Sequence, residues 1–512
     1  MKRRTFIAAT GTTAAVTGLA ACAGGDGEGS GSGTSGTLTL ATVAAPQPWD
    51  LTEAGLGNNA IYYQPVYDPL LRLTADAELT ENLATDWSYD ETGTVLTLTL
   101  REGVTFTDGT VFDAEAVKAN LEHTRTGSNE ASTNIASISS VDVVDPQTVA
   151  ITLSAPDPSL LTNLANVSGM MVSPQAIGTP ELATTPVGSG PYVLSSSGTT
   201  AGSQYTFTRN PDYWNAEAFG FDTVVLRYMS DPTALVNALR SGQIDGGQLT
   251  DHRNAAPLEG ADDLTVTEYV TGDVDGLYIW DRAGTVVPAL ADVRVRQALN
   301  HAMDRATIIE TAKGGLGDPT TQVFNPESTA YDATLDDVYP YDVARAKELL
   351  AEAGYADGFD VAMPDFSAFF PTAQAALTEA LEAIGVRPAY ETVPPDQLIN
   401  ELLAARWAMS YFTLASFRSW DTILIQFLPE SLWNLFRVED PALTELVTQA
   451  RNTLDEQEQA DLFQQVNAYV VAQAWNAPWS VVKGYFVSND RVDVQMRSFA
   501  PAPWLYDFTP AS

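Results

Sequence analysis

The sequence predicts an α/β protein built on mixed sheets and divided into two or three domains. Three observations lead there. Short segments with alternating apolar and polar residues recur along the chain, separated by well-marked helices. The helices fall at irregular intervals, which fits mixed sheets rather than one doubly wound parallel sheet. Roughly 475 residues follow a low-complexity opening, more than one hydrophobic core supports, and a composition of 45% hydrophobic against 18% charged residues can fill several cores.

The opening comes first. Lys2, Arg3 and Arg4 precede a short apolar run from Phe6 to Ala21, and Cys22 is followed by a Gly/Ser-rich stretch that reaches Gly36. A basic start, a brief apolar run and small residues at the cut have the layout of an export signal, residues 1–21. Arg3-Arg4-Thr5-Phe6 resembles a twin-arginine signal. Leu19-Ala20-Ala21-Cys22 resembles the bacterial lipobox, which implies cleavage before Cys22 and lipidation there. The expected location is therefore outside the cytoplasmic membrane, lipid-anchored to its outer face. The run is too short and too rich in Ala, Thr and Gly to span a bilayer well, and no later segment approaches eighteen consecutive apolar residues. Residues 22–36 are expected to be a flexible tether. Its Gly31-Ser-Gly-Thr-Ser-Gly36 matches a dinucleotide-binding pattern, but no strand precedes it and no helix follows.

Next come the elements of the body. Strands are expected at Thr37–Leu40, Val95–Leu100, Thr148–Leu153, Tyr205–Thr208 and Thr223–Tyr228. Asp113 is placed to cap a helix with Val117 and Leu121 on one face and Glu115 in its first turn. Asp231-Pro232 starts a second helix, with Ala234, Leu235, Ala238 and Leu239 inward and Gly242 as its stop. Asp342 starts a third, striped by Leu349 and Leu350 and ended by Gly354.

Charge and cysteine content exclude several classes of function. The formal charge is -39, and loss of Lys2, Arg3 and Arg4 would take it to -42. Such a surface repels nucleic acid and anionic headgroups. Cys22 is the sole cysteine, so a structural disulfide within the chain is excluded. A secreted hydrolase is the strongest rival class, yet the sequence has no His-Glu-x-x-His helix, no Gly-x-Ser-x-Gly elbow and no free cysteine nucleophile. His123, His252 and His301 are far apart, which speaks against a metal site, and no cofactor is expected.

Six blocks carry a resemblance. They are Tyr67-Asp-Pro-Leu-Leu71 with Glu81-Asn-Leu-Ala84 and Trp87; Leu100-Arg-Glu-Gly-Val-Thr-Phe106 through Asp108-Gly109-Thr110 to Asp113-Ala-Glu115; and Pro186-Val-Gly-Ser-Gly-Pro-Tyr192. Then follow Arg209-Asn-Pro-Asp-Tyr-Trp214 with Leu239-Arg-Ser-Gly-Gln-Ile-Asp245; Val293-Arg-Val-Arg-Gln-Ala-Leu-Asn-His-Ala-Met-Asp-Arg305; and Ala346-Lys-Glu-Leu-Leu-Ala-Glu-Ala-Gly354. In this order and spacing they resemble the family 5 solute-binding proteins of ABC importers, the dipeptide, oligopeptide and nickel group. Most of these residues read as scaffold. Gly188 and Gly190 allow a sharp turn or bulge beside Pro191. Tyr213 and Trp214 are anchors for a core or a domain seam. Arg294, Arg296 and Arg305 with Asp292 and Asp304 are expected to form an ion network on a helix surface.

The resemblance implies a type II, periplasmic-binding-protein-like fold of two lobes closing on a ligand. Lobe I would comprise 37–67, 186–275 and 476–512, with a subdomain, 68–185, inserted in it; lobe II would comprise 276–475. The implied role is capture of a solute, by family most often a peptide, for an ABC permease with a separate ATPase, in a monomer with no catalysis of its own. A glycoside, a hydrophobic solute, a metal chelate and a sensor role stay open. The family's cleft loop corresponds here to Arg406–Asp421, which supplies Trp407, Tyr411, Phe417, Arg418, Trp420 and Asp421 as candidate ligand-binding residues. Tyr62, Tyr63, Tyr278 and Trp280 are further candidates. Peptide-binding members carry an acid in this loop that pairs with the peptide amine; an ungapped match puts Phe417 there, and Asp421 follows four residues later.

Overall fold

Two long strands, Leu264–Ile279 and Asn476–Asn489, form the spine of the molecule and pair antiparallel along most of their length. The structure is a computed structural model that describes residues 36–394, 397–416, 418–497 and 500–511. From the spine a nine-stranded sheet extends both ways. Leu264–Ile279 takes Met409–Ala415 on its free side, while Asn476–Asn489 takes Gly246–Leu249, then Thr37–Thr42, Thr223–Tyr228, Gln204–Arg209 and Tyr192–Thr200, and the two-residue strand Asp318–Pro319 also pairs with Asn476–Asn489. Thr37–Thr42 runs parallel to both its neighbours and the other pairs are antiparallel. The sheet is mixed, as the irregular helix spacing indicates.

The ladder of the spine is interrupted where it passes from one half of the molecule to the other. Between Val270 and Val274 one strand advances four residues while its partner moves only from Lys483 to Val481, and the register shifts again between Asp275 and Gly276. A Cβ on Gly276 would lie 2.4 Å from the Cα of Pro478, so the strands cross there only because glycine has none. Gly272, inside the first irregularity, has a φ of 83°. Such bulges bend and twist a strand locally.

Separate hydrophobic cores flank the spine. One gathers Leu38, Leu40, Tyr63, Tyr67, Phe207 and Val224. A second lies under a four-stranded antiparallel sheet, Ala84–Tyr89, Val95–Leu100, Thr148–Leu153 and Ile138–Asp145, and includes Leu98, Val117, Leu121 and Ile151, with Trp504 from the tail. Beyond the crossing, one core holds Leu277, Leu299, Leu349, Leu377 and Met409 and another holds Phe324, Ile423, Phe427 and Val470. The caps read from sequence are in place: Asp113 accepts from the Ala116 amide at 3.0 Å, Asp231 from Thr233 and Ala234, and Asp342 from Arg345.

Two buried polar clusters tie the segment after Tyr67 to the rest of the first half. Asp68, fully buried, accepts from the Tyr213 hydroxyl (2.9 Å), the Ser189 hydroxyl (3.1 Å) and the Trp214 indole (3.2 Å). Burial pushes its carboxyl up to about 6 against the pull of those three donors. Arg497 pairs with Asp507 at 2.5 and 2.6 Å and donates to the carbonyls of Leu73 and Thr74, both at 2.9 Å. The motif glycines serve close approach: a Cβ on Gly188 would fall 2.0 Å from the Val66 carbonyl oxygen, and one on Gly190 2.5 Å from the Val66 carbonyl carbon.

Two expectations are corrected: Ala234, expected to face inward, is exposed, and the arginine network lies only partly on the surface. Arg294 does pair with Asp292 at 2.5 Å on the surface. Arg296 and Arg305, by contrast, are buried, and their guanidinium groups are satisfied mainly by backbone carbonyls: Arg296 by Leu290, Ala291 and Gln473, and Arg305 by Thr320, Pro478, Asn300 and Tyr339. They clamp turns and strands from inside, because five fixed N–H donors suit converging carbonyls. Among the described residues, no helix is long and apolar enough to cross a membrane.

Candidate functional site

Where the spine crosses, a cavity of about 260 Å³ lies between the two halves of the molecule. One wall comes from residues before the crossing: Leu56 to Asn58, Ala60, Glu130, Asn134, Asn163, Asn166 and the tail residues Ala500, Pro501 and Trp504. The facing wall is Ala415, Arg418, Asp421 and Ile425, and Asp273 on the irregular strand contributes from the crossing itself. A larger depression of about 390 Å³ around Pro429, Glu439, Pro441 and Thr444 is shallow and drawn from a single stretch of chain. The cleft between the halves is the better site, because convergent polar groups from separate elements are what fix a ligand.

Local chemistry sets each wall. Asn129 caps the short helix Glu130–Thr133 by accepting from the Ser132 amide, and its own amide donates to the carbonyls of Leu51 and Ala54, which fixes Glu130 at the rim. Asn163 on helix Leu160–Leu164 donates to the Asn134 carbonyl at 3.0 Å. Across the cleft, the turn after strand Met409–Ala415 is pinned from beneath. The Ser416 amide donates to the Gly272 carbonyl at 2.7 Å, Ser416 also bonds Thr422, and the Ser419 hydroxyl accepts from the Ala330 amide. Helix Ser419–Gln426 then starts with Asp421 in its first turn, where the helix dipole favours a carboxylate.

Arg418 bridges the walls. Its guanidinium donates to Thr162 Oγ1 at 2.7 Å and Asn163 Oδ1 at 3.2 Å on the opposite side, and it pairs with Asp421 at 3.3 Å on its own. The carboxylates around it are under electrostatic pressure. Glu130 is open to the cleft, yet the protein massed around the recess, with the charge of Asp421, pushes its carboxyl above the usual range. Burial and Asp421 likewise raise Asp157, against hydrogen bonds from Ser137 and Ser159. Burial pushes Asp273 up to about 6, with Asp275 adding to the rise and Lys313 and Thr271 opposing it.

Of the residues singled out from sequence, Arg418 and Asp421 line the cavity. The described aromatics go elsewhere. Tyr62 and Tyr63 are in the first core, with their hydroxyls turned to Thr42 and Pro48. Tyr278 and Trp280 stack 5.3 Å apart in a core beyond the crossing, and Trp280 donates to Ser410. Trp407 is 1% exposed, Tyr411 stacks on Trp479 at 5.3 Å, and Trp420 packs near Phe463. Large rings bury the most apolar area, so these strand and helix positions draw them inward. Phe417, Cys22, Arg3 and Arg4 lie outside the described residues. Sequence reading did not find Glu130, Asn134, Asn163, Asn166 and Asp273. Among the described residues, no cluster of three His, Cys, Asp or Glu side chains is placed to hold a metal ion.

Comparisons with known proteins agree with this architecture. The glutathione-binding protein GsiB of Salmonella paratyphi A is 32% identical over 301 residues, 58% of this chain and 57% of the relative; the chain thus spans little more than half the length of that curated relative. Among solved structures, the periplasmic binding protein DppA from Helicobacter pylori in complex with peptide STSA superposes with a TM-score of 0.79 at 21% identity, covering 93% of this chain and 98% of that one. NikA from Brucella suis in complex with Fe(III)-EDTA gives 0.79 at 22%, covering 93% and 100%. At that identity the likeness carries the fold, a two-lobed periplasmic-binding-protein architecture. These relatives are solute-binding proteins rather than enzymes, and proteins of their family are extracytoplasmic. The description "Bacterial extracellular solute-binding proteins, family 5 Middle" matches residues 78–423, and the chain belongs to the family 5 extracellular solute-binding proteins.

Proposed function

We propose that this chain is the solute receptor of an ABC importer, tethered to the outer face of the cell membrane through Cys22 and without catalysis of its own. Lobe I would be 37–67, 186–275 and 476–512, carrying the inserted subdomain 68–185, and lobe II would be 276–475. A solute that touches both walls favours the closed arrangement by its differential affinity, and a permease reads that shape. The observation that carries this reading is the cavity walled by Glu130 and Asn163 on one side and by Arg418 and Asp421 on the other. A short peptide is the favoured ligand. Its support is a lining rich in amides and charged groups, in which Trp504 is the one aromatic ring among the described residues.

The test is ligand-dependent stabilisation and compaction. A di- and tripeptide library should contain members that raise the unfolding temperature and shrink the radius of gyration in X-ray scattering, with the ligand recovered intact. Conversion of the ligand, or no stabilisation by any peptide or metabolite, would overturn the reading.

A further inference from the structure

Resting on that two-lobed reading, we propose that Leu316 is a positioning residue for solute capture: a side chain of lobe II buried in lobe I, which holds the closed arrangement from the edge of the spine opposite the cleft loop. Helix Arg305–Lys313 and the strand Asp318–Pro319 are joined by Gly314-Gly315-Leu316-Gly317. The three glycines have φ of 64°, 85° and 143°, conformations that residues with a Cβ rarely adopt. A Cβ on Gly317 would also lie 3.1 Å from the Val481 carbonyl oxygen. Glycine thus shapes the chain on both sides of one leucine, and that leucine is 2% exposed. Leu316 packs in a core with Leu235, Leu239, Leu258 and Val487, and every other described member of that core comes from lobe I. Both roots of the loop are fastened to the spine. Lys313 pairs with the buried Asp275 at 2.6 Å, and Asp318–Pro319 pairs with Val481 and Ser480. Lys483 then joins Asp318 at 2.8 Å to Glu268 at 3.1 Å. At this level the spine carries Met409–Ala415, which leads to Arg418, on one edge and Asp318–Pro319 on the other. The lobes therefore meet at both edges, through Arg418 reaching Thr162 and Asn163 and through Leu316. The Arg418 contact is polar and partly exposed, so water replaces it at little cost. The Leu316 contact is apolar, and water does not replace it. A loop rooted at both ends has little slack, so cleft opening shifts Leu316 in its core, and its burial weights the balance towards closure.

The experiment is X-ray scattering and hydrogen exchange on the full chain with no solute added, comparing the wild type with Leu316→Ala, Leu316→Val and Leu316→Met. Leu316→Ala is expected to shift the closed-to-open ratio about tenfold or more towards open. The shift is read as a larger radius of gyration and faster exchange of the amides from Val270 to Val274. Leu316→Val should move both readouts less in the same direction, and Leu316→Met, which keeps the volume, should restore them. If Leu316→Ala does not fold, Leu316→Val decides on the same readouts. A lowered unfolding temperature with radius and exchange unchanged would make Leu316 a packing residue only and overturn the proposal. A shift towards closure, or a Leu316→Met variant as open as Leu316→Ala, would overturn it too. Because no solute enters this test, the receptor reading stands or falls separately, on the peptide library.

Discussion

Arg497 and Arg418 each hold an aspartate, but in opposite settings. Arg497 and Asp507 are both 3% exposed, meet through two short bonds, and bring in the carbonyls of Leu73 and Thr74. Arg418 and Asp421 are 23% and 27% exposed, meet at 3.3 Å through one nitrogen, and reach side chains on the far wall rather than backbone. The first pair is a weld. Once it is made, every donor that leaves it exposes a buried charge. The second is a clasp, whose groups lose little when water or a ligand replaces them. The lesson is that burial and backbone partners, more than the residue types, decide whether an ion pair holds a fold or works in a site.

Four variants or titrations sharpen that contrast. Arg497→Met should cost about 3–5 kcal/mol of unfolding free energy, since Asp507 is left buried and unpaired; urea unfolding followed by near-UV circular dichroism measures it. Asp68 supplies the next effect. Its carboxyl has an ordinary value of 3.8 and sits near 6 in the fold, so the folded state binds the proton more tightly. Stability contributed there falls as pH rises from about 4 to about 6, by about 3 kcal/mol, and Asp68→Asn should remove that slope. Unfolding midpoints of both proteins at three pH values test the sign. Third, Asp273 becomes neutral as pH drops through about 6, so a bound solute that donates a hydrogen bond to its carboxylate should lose up to about tenfold in affinity between pH 7 and 5. Calorimetry in buffers of different ionisation enthalpy counts the linked proton. Smallest is Arg418→Ala, expected to shift the open-closed balance of the unliganded chain by about 1 kcal/mol towards open, with stability changed by less than that. X-ray scattering beside thermal unfolding separates the two. A stability loss as large as that of Arg497→Met would erase the contrast.

The sequence carried the scaffold better than the cleft. Asp113, Asp231 and Asp342 cap helices because their signals are local, and Val95–Leu100 alternates because one face meets a core. Arg418 and Asp421 came into view through the family resemblance alone, which points to the loop that carries both, and the structure places both at the cavity. Glu130, Asn163 and Asp273 reach the same space from three places far apart in sequence, and nothing local distinguishes them from other polar surface residues. Asp273 had one visible sign, the Gly272 that breaks an otherwise apolar-alternating strand. The aromatics misled because a ring beside a cleft loop and a ring in a core look alike until burial is known. Arg296 and Arg305 misled for a related reason: an arginine on a helix reads as surface unless the carbonyls that enclose it can be seen.

The strand Asn476–Asn489 has a consequence for biosynthesis. It lies between Gly246–Leu249 and Leu264–Ile279, so the middle of the main sheet stays unfilled until a strand about 200 residues downstream of Leu264–Ile279 has been made. Contacts this distant along the chain close late and slowly. Until it is made, Gly246–Leu249 and Leu264–Ile279 each present an unpaired edge, the kind of edge on which strands pair wrongly.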